Sequence, residues 1–446
     1  MTLKFGTDGV RGVANRELTP ELALNVGRAA ARVLGGRHWV IARDPRCSGP
    51  LLAAALASGL ASEGAHVADL GVLPTPGVAH VSAADGVGAA MISASHNPFG
   101  DNGIKLFAPG GRKLSDDVES ALEAELTTLA VSGDQRLRPE GAEVGTLVQD
   151  PTGRERYREH LVHQVLDGRR LDGLHVVVDA ANGAASGLAA DVLAALGARV
   201  DAIHDQPNGT NINDQCGSTH PDDLQRAVVE AGAQLGLAFD GDADRVLAVD
   251  AAGELVDGDQ IIAVCAIDLQ RRGLLVDDTV VVTVMSNLGF RHGMAAHGIE
   301  VVETSVGDRY VLEALDAGGY SLGGEQSGHV IFRRLASTGD GLLTGLALLD
   351  LVARSGRSLA DLAASAMTRL PQVLINVRTP SKDPNLISRL VDPLAAAEAR
   401  LDERGRVLLR ASGTEPLMRV MVEAPTEDEA REVATELAAQ VRAIAT

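Results

Sequence analysis

One pattern recurs three times along the chain and restricts the fold more than any other. An apolar, β-branched run is followed by a turn rich in Gly, Ser or Asn, then a helix, then a Gly that ends the helix and opens a second strand. The first copy runs from a strand at His38 to Arg43 through Ser48-Gly49 and a helix at Pro50 to Ser62, and re-enters at Gly64-Ala-His-Val67. The second joins His175 to Asp179, Ser186-Gly187, a helix to Leu196 and Gly197-Ala-Arg-Val200. The third runs from Thr279 to Val284 through Asn287-Leu-Gly289 and a helix to His297, then Gly298-Ile-Glu-Val301. A Gly just past a helix admits the left-handed backbone that stops it. Strand, helix and strand in this order make a βαβ unit, so the chain predicts three similar α/β domains with mixed or mainly parallel sheets covered by helices.

At 446 residues the chain exceeds what one core sustains, since single cores stop growing beyond about 250 to 300 residues. The spacing of the repeats sets the α/β domains at 1–150, 151–254 and 255–367, the second opening on an amphipathic linking helix at Pro151 to Arg170 that carries Tyr157, Leu161 and Val165 on one face. After about Thr368 the grammar changes. Strands at Val373 to Val377, Arg406 to Arg410 and Arg419 to Glu423 surround a helix at Pro384 to Leu401, and a last helix follows the capping box Thr426-Glu-Asp-Glu429, which makes 368–446 a smaller α+β domain. Near the start, Thr19 and Pro20 supply an N-cap and a first helical position.

A formal charge of −20 opposes broad attraction to nucleic acid or anionic membranes, so any phosphate ligand needs a local basic pocket. Cys47, Cys216 and Cys265 are odd in number and far apart, which argues against a disulfide framework or a zinc site and for free thiols in a reducing cytoplasm. Met1 to Ala14 lacks the basic start and apolar core of a signal peptide, and no apolar stretch reaches the roughly 18 residues that span a bilayer. These features predict a cytoplasmic protein with a small-molecule ligand and neither nucleic acid nor membrane as partner. GxGxxG and GxxxxGK[ST] are both missing, so dinucleotide and P-loop chemistry lack support.

Four stretches could carry chemistry. Met91 to Lys105 reads MISASHNPFGDNGIK and sets Ser95 beside His96, with Asn97-Pro98 and Asp101-Asn102-Gly103 as turn formers that predict a rigid exposed loop. Asp240-Gly-Asp-Ala-Asp-Arg245 follows an apolar strand, so Asp240, Asp242 and Asp244 can converge on a hard cation such as Mg2+. A calcium EF-hand loop would need Gly and Glu where Arg245 and Ala251 stand. Gly323-Gly-Glu-Gln-Ser-Gly-His329 offers Glu325, Ser327 and His329 at alternate positions, a set suited to sugar hydroxyls and proton transfer. Arg410-Ala-Ser-Gly-Thr-Glu-Pro416 with Arg419 combines guanidiniums, hydroxyls and amides around a glycine, as a phosphate clamp does. Arg11, framed by glycines in Phe5-Gly-Thr-Asp-Gly-Val-Arg-Gly12, is either a phosphate donor or a surface charge. Lys105 and His329 are the acid/base candidates, and the histidines at 160, 204, 292 and 297 read as surface or core residues. Each stretch alone also admits a plainer reading: an ST-turn at Ser95, a solvated acidic turn, a glycine hairpin, a strand-end turn with exposed arginines.

Together, in this order and one per predicted domain, the four stretches resemble the α-D-phosphohexomutase superfamily, with its phosphoserine loop, DGDxDR metal loop, GExSGH sugar loop and SGTEP phosphate loop. FGTDGVRG, ISASHNPFGDNGIKLF, CGSTHP at 216 to 221 and GEQSGH are similar to its amino-sugar members. Two positions differ from the family pattern: Ala243 stands where Gly is common, and Ala411 precedes SGTEP where a larger residue or Pro is frequent. The resemblance implies four domains around a central cleft, the fourth hinging to close it. It implies that Ser95 is phosphorylated and that its phosphate, with Asp240, Asp242 and Asp244, binds Mg2+, with Arg11 and Arg245 beside the transferring group. Glu325 and Ser327 would hold sugar hydroxyls, and Arg410, Ser412, Gly413, Thr414 and Arg419 the phosphate that is not reacting. The implied reaction takes glucosamine 6-phosphate to glucosamine 1-phosphate through a sugar bisphosphate, which also serves as primer, and feeds UDP-N-acetylglucosamine and cell-wall precursors. The alternatives are a glucose or mannose phosphate mutase, a phosphoserine-dependent sugar phosphatase and a silent binding module. A monomer or a homodimer fits equally.

Overall fold

The computed structural model describes residues 9–131, 137–381, 386–411 and 416–445. They form two compact units, Met1–Met285 with Ile299–Ala364, and Ser286–Gly298 with Ser365–Thr446. The first unit holds three α/β sheets and the second one antiparallel sheet, so the expected α/β class with a C-terminal α+β part is what the chain folds into.

The first sheet runs Val10–Val13, Asp101–Ala108, Gly88–Ile92, His38–Arg43, His66–Val72, Leu147–Gln149, with the short strand Arg112–Lys113 paired on Asp101–Ala108. His38–Arg43 pairs in parallel with both His66–Val72 and Gly88–Ile92, whereas Asp101–Ala108 turns back antiparallel. Helix Pro20–Val33 begins as its sequence predicts, Thr19 Oγ1 accepting from Leu22 N at 3.3 Å. Leu52, Leu56 and Leu60 recur every fourth residue on helix Gly49–Ser62 and share a core with Trp39 and Ile41. Each such buried side chain stabilises by about 1.5–3 kcal/mol relative to exposure.

One expectation fails here. Asp101-Asn102-Gly103 is not a turn but the start of a strand, because all three residues pair with Val10–Val13, and the strand they open continues through Ile104 to Phe107 against Gly88–Ile92. Strand pairing outweighs turn propensity, and Gly103 is needed for closeness: a Cβ there would lie 2.5 Å from Ser93 O.

The second sheet runs Leu255–Val256, Val246–Asp250, Leu235–Phe239, His175–Asp179, Arg199–Ile203. The third runs Glu300–Thr304, Thr279–Thr283, Leu322–Gly324, Val330–Phe332. The linking segment is a helix, Gly153–His160, that widens into a π turn at Leu161–Val165, with Tyr157 and Leu161 fully buried.

In the second unit, strands Gln372–Arg378, Leu417–Glu423 and Arg406–Ala411 pack on helix Glu427–Ala445 through Val433, Leu437 and Val441. Thr426 Oγ1 caps that helix, accepting from Glu429 N at 3.3 Å. The helix expected from Pro384 spans Val391–Leu401, preceded by a 3-10 turn at Ile387–Leu390; its first two expected positions lie outside the described residues. Helix Leu288–Ala296, the middle of the third repeat, groups with this unit. Its N-terminus meets the buried Glu423, which accepts from Leu288 N at 2.8 Å and from the Arg406 guanidinium at 3.0 and 3.1 Å.

Candidate active site

Ser95 lies in the hairpin between Gly88–Ile92 and Asp101–Ala108. The loop is exposed only at Pro98, Phe99 and Gly100: Ser95 itself is 1% accessible, with the acidic hairpin at 240–245 against it. Its backbone is left-handed at φ +52°, a conformation that costs a residue with a Cβ roughly 1–2 kcal/mol unless the surroundings hold it. They do. Ser95 N donates to Ser93 Oγ at 2.9 Å, and Ser93 Oγ donates to the buried Asp44 at 2.6 Å. Ser95 Oγ itself donates to Asp240 Oδ2 at 2.6 Å and lies 3.3 Å from His96 Nδ1. Burial, aided by Arg245 and Arg11, pushes the His96 imidazole down to about 4, so it is neutral at physiological pH.

Strand Leu235–Phe239 ends at Asp240 and returns antiparallel as Val246–Asp250, so the three aspartates occupy a hairpin turn. They are 1%, 0% and 5% exposed, and one oxygen of each lies within 4.8 Å of the others. Burial, reinforced by Asp244 and Asp242, pushes the Asp240 carboxyl well above the usual carboxylate range. Burial opposes ionisation of Asp242 and Asp244 too, but Lys105 outweighs it, with Thr75 helping at Asp242 and His329 and Arg245 at Asp244; both end below the usual range. Lys105 Nζ reaches Asp242 at 2.7 Å and Asp244 at 3.3 Å. The Oδ1 atoms of Asp242 and Asp244 are buried and accept no hydrogen bond. Three converging hard oxygen donors with two unsatisfied atoms fit a divalent cation.

The expected common face of Glu325, Ser327 and His329 does not form. Residues 325 to 328 are a tight turn between Leu322–Gly324 and Val330–Phe332, where Gly328 N donates to Glu325 O at 3.0 Å, and a turn abolishes the period-two alternation of a strand. Ser327 is exposed and stands 3.5 Å from Glu325 Oε2, while His329 is buried at 2%. The His329 Nδ1 atom faces Asp244 at 3.7 Å, and Nε2 lies 3.1 Å from Gly339 N and 3.3 Å from Asp308. As an acceptor Nε2 takes the amide and as a donor it faces the carboxylate, so both protonation states have a partner. Burial lowers its pKa, but Asp244 and Asp308 outweigh this and raise it overall.

In the second unit, Arg410 and Arg419 stand directly opposite each other in the antiparallel pair of Arg406–Ala411 and Leu417–Glu423. Neither has a carboxylate partner among the described residues. Ser412, Gly413 and Thr414 lie outside the described residues. A cavity of about 360 Å3 lined by Leu166, Cys265, Leu269 and Phe332 contains none of the motif residues.

Models of the phosphoglucomutase/phosphomannomutase family match nearly the whole chain: alpha/beta/alpha domain I at residues 2–131, domain II at 155–253, domain III at 257–370 and the C-terminal domain at 374–440. The chain belongs to this family. The phosphohexomutase chain is 56% identical over 448 residues to the phosphoglucosamine mutase of Rhodococcus jostii, covering 99% of each. It is 54% identical over 450 residues to that of Clavibacter sepedonicus, covering 98% of each. A solved phosphoglucomutase/phosphomannomutase family protein from Burkholderia thailandensis superposes with a TM-score of 0.82 at 27% identity, over 99% of this chain and 97% of that one. Aspergillus fumigatus N-acetylphosphoglucosamine mutase, solved with GlcNAc-6P and magnesium, shares the fold with a TM-score of 0.72 at 20% identity, over 100% and 96%.

Sequence reasoning passed over several residues that shape the phosphohexomutase site. Thr75 donates its hydroxyl to Asp242 at 2.5 Å, and buried Arg46 donates to the carbonyls of Ser95 at 3.0 Å and Asn97 at 2.7 Å. Neither carries a local motif. His204, read as an isolated surface or core histidine, bridges Asp179 at 3.1 Å and Asp223 at 3.2 Å; its hydrogen bond to Asp179 raises its pKa. Cys216 lies beside that pair, and burial pushes its thiol up to about 12. Among the described residues no helix is long and apolar enough to cross a membrane.

Proposed function

We propose that this chain interconverts glucosamine 6-phosphate and glucosamine 1-phosphate as a phosphoglucosamine mutase, with Ser95 Oγ as the phosphoryl carrier. The supporting observation is the contact of the Ser95 hydroxyl with Asp240 at 2.6 Å inside a buried acidic cluster, in a chain that matches phosphoglucosamine mutases along its whole length. With Ser95 phosphorylated, the free hydroxyl oxygen of the sugar monophosphate gives up its proton and bonds to phosphorus as the bond to Oγ breaks and Oγ takes up a proton, giving a bisphosphate. The sugar then presents its other phosphate, Oγ takes it back, and the departing sugar oxygen recovers a proton.

Asp240, Asp242 and Asp244 would hold Mg2+, which when bound supplies positive charge to the phosphoryl oxygens. Lys105 and His329 are the groups assigned to proton movement, and His329 has a partner in either protonation state. Arg11 and Arg245, which both act on His96, would balance charge on the transferring group. Glu325 and Ser327, which stand together, would read sugar hydroxyls. Arg410 and Arg419 would hold the second phosphate, with Ser412, Gly413 and Thr414 between them. In this reading 1–150, 151–254 and 255–367 each contribute one loop and 368–446 the clamp, in a cytoplasmic monomer or homodimer acting on a small amino-sugar phosphate.

Turnover of glucosamine 1-phosphate, glucose 1-phosphate and mannose 1-phosphate, each with a trace of sugar bisphosphate, tests the reading. Preference for the amino sugar is expected, and preference for glucose overturns it. Sustained release of inorganic phosphate would instead mark a phosphatase, and binding with no turnover after priming a silent module.

A further inference from the structure

We propose that Asn213 is a positioning residue for the nucleophile: its side-chain amide grips the backbone carbonyls of Ser95 and Asn97 and so keeps Ser95 Oγ on Asp240. The proposal rests on Ser95 being the phosphoryl carrier. Asn213 Nδ2 lies 2.8 Å from Ser95 O and 3.0 Å from Asn97 O, although 118 residues separate Asn213 from Ser95. Asn213 is only 8% exposed, and those two carbonyls are what its amide meets.

Arg46 donates to the same two carbonyls, but it follows strand His38–Arg43 of the nucleophile's own sheet. It can therefore fix the loop only against that sheet. Asn213 belongs to the loop that follows strand Arg199–Ile203, in the sheet that carries the three aspartates. Its grip sets Ser95 relative to Asp240, which is the geometry that phosphoryl transfer depends on.

The loop around Asn213 is built to present that amide. Asn213 is left-handed at φ +57°, as are Ala181 at +54° and Gln215 at +53°. One buried carboxylate organises them: Asp179 accepts from Ala181 N at 2.8 Å and from Gly217 N at 2.9 Å, and Asn213 N donates to Ala181 O at 3.0 Å. Gly241, between two of the aspartates, leaves the space that the contact needs. A Cβ there would stand 2.6 Å from Ser95 O and 2.9 Å from Asn213 Nδ2. The CGSTHP stretch thus acquires a task, that of anchoring the strained loop from which Asn213 reaches the nucleophile.

Asn213→Gly and Asn213→Asp both tolerate the left-handed backbone, and both remove the donor. Each is expected to lower kcat, and the single-turnover transfer of phosphate from Ser95 to glucosamine 1-phosphate, by about 10- to 100-fold, with KM within about twofold and a melting temperature near that of the parent. Parent-like rates in either variant overturn the proposal, as does a rise in KM alone. Loss of fold in both assigns Asn213 a structural role and overturns it too; if only Asn213→Asp unfolds, Asn213→Gly decides. Normal turnover by Ser95→Ala would sink the carrier reading itself, whereas an inactive Ser95→Ala beside normal Asn213 variants would sink only the positioning role.

Discussion

The Ser95 and Asp240 to Asp244 loops of the first unit and the arginine pair of the second are all built at strand ends, yet they handle charge in opposite ways. Asp240, Asp242 and Asp244 are buried and already answered from the protein: Lys105 pairs with two of them, His329 and Arg245 flank Asp244, and Ser95 donates to Asp240. Arg410 and Arg419 face each other across a ladder with Arg410 half-buried and Arg419 exposed. Like charges directly opposite each other destabilise a sheet, by roughly the 0.2–1 kcal/mol that a cross-strand pair is worth. A fold keeps such a pair at a cost in stability, and an anion between them would relieve it. In the proposed function the acidic region would be preorganised for chemistry, where misplacement is expensive, and the basic one would take a ligand.

Five substitutions bear on that contrast. The largest expected effect is at Ser95→Ala, which should lower turnover by at least about 10,000-fold, since the only group that carries phosphate in the proposed scheme is gone. Intact-mass measurement should find one phosphate on the parent protein and none on the variant, and circular dichroism should show an unchanged fold. Parent-level turnover would remove the first region from the chemistry altogether.

Asp242→Ala should cost about 100- to 1,000-fold in kcat, because a hard ligand is lost from the cation site. It should also lower the melting temperature, since the buried Lys105 would lose its 2.7 Å carboxylate partner. Chelation of divalent ions should abolish activity in the parent, with Mg2+ restoring it. Activity that survives chelation would mean that Lys105, with Arg245 and His329, neutralises the cluster without a cation.

Arg410→Ala and Arg419→Ala should each raise KM about tenfold, or about 1.4 kcal/mol, with kcat within about threefold. Thermal stability should be unchanged or slightly higher, as the opposed charges are relieved. A fall in kcat without a change in KM would place the pair in the chemistry rather than in binding, and so erase the contrast.

Ala243→Gly should be close to neutral in stability, within about 1 kcal/mol. Ala243 stands at φ +56°, where a Cβ costs about 1–2 kcal/mol, yet it is fully buried, where a methyl is worth about 0.8 kcal/mol and Gly adds unfolded-chain entropy. The angle also gives a physical reason for glycine at this place in a DGDxDR loop. A melting-temperature shift large enough to imply more than about 1 kcal/mol either way would show that the acidic hairpin is held differently from this account.

Features that depend on near neighbours were legible along the chain. Three βαβ units, the caps at Thr19 and Thr426, and the placing of Ser95 and the three aspartates in loops after buried strands all follow from relations within about four residues, which propensity and periodicity encode. The same local rules misread Asp101-Asn102-Gly103 as a turn and Glu325, Ser327 and His329 as one face. Strand pairing with Val10–Val13 overrode the first, and a hairpin turn broke the alternation behind the second. Only the tertiary structure decided that Ser95 is buried, that Lys105 pairs with Asp242 across 137 residues of sequence, and that Asn213 and Arg46 hold the Ser95 carbonyl. Those choices rest on which loops the packed sheets bring within hydrogen-bond reach, and a hydrogen bond reports distance in space, which spacing along the chain does not carry.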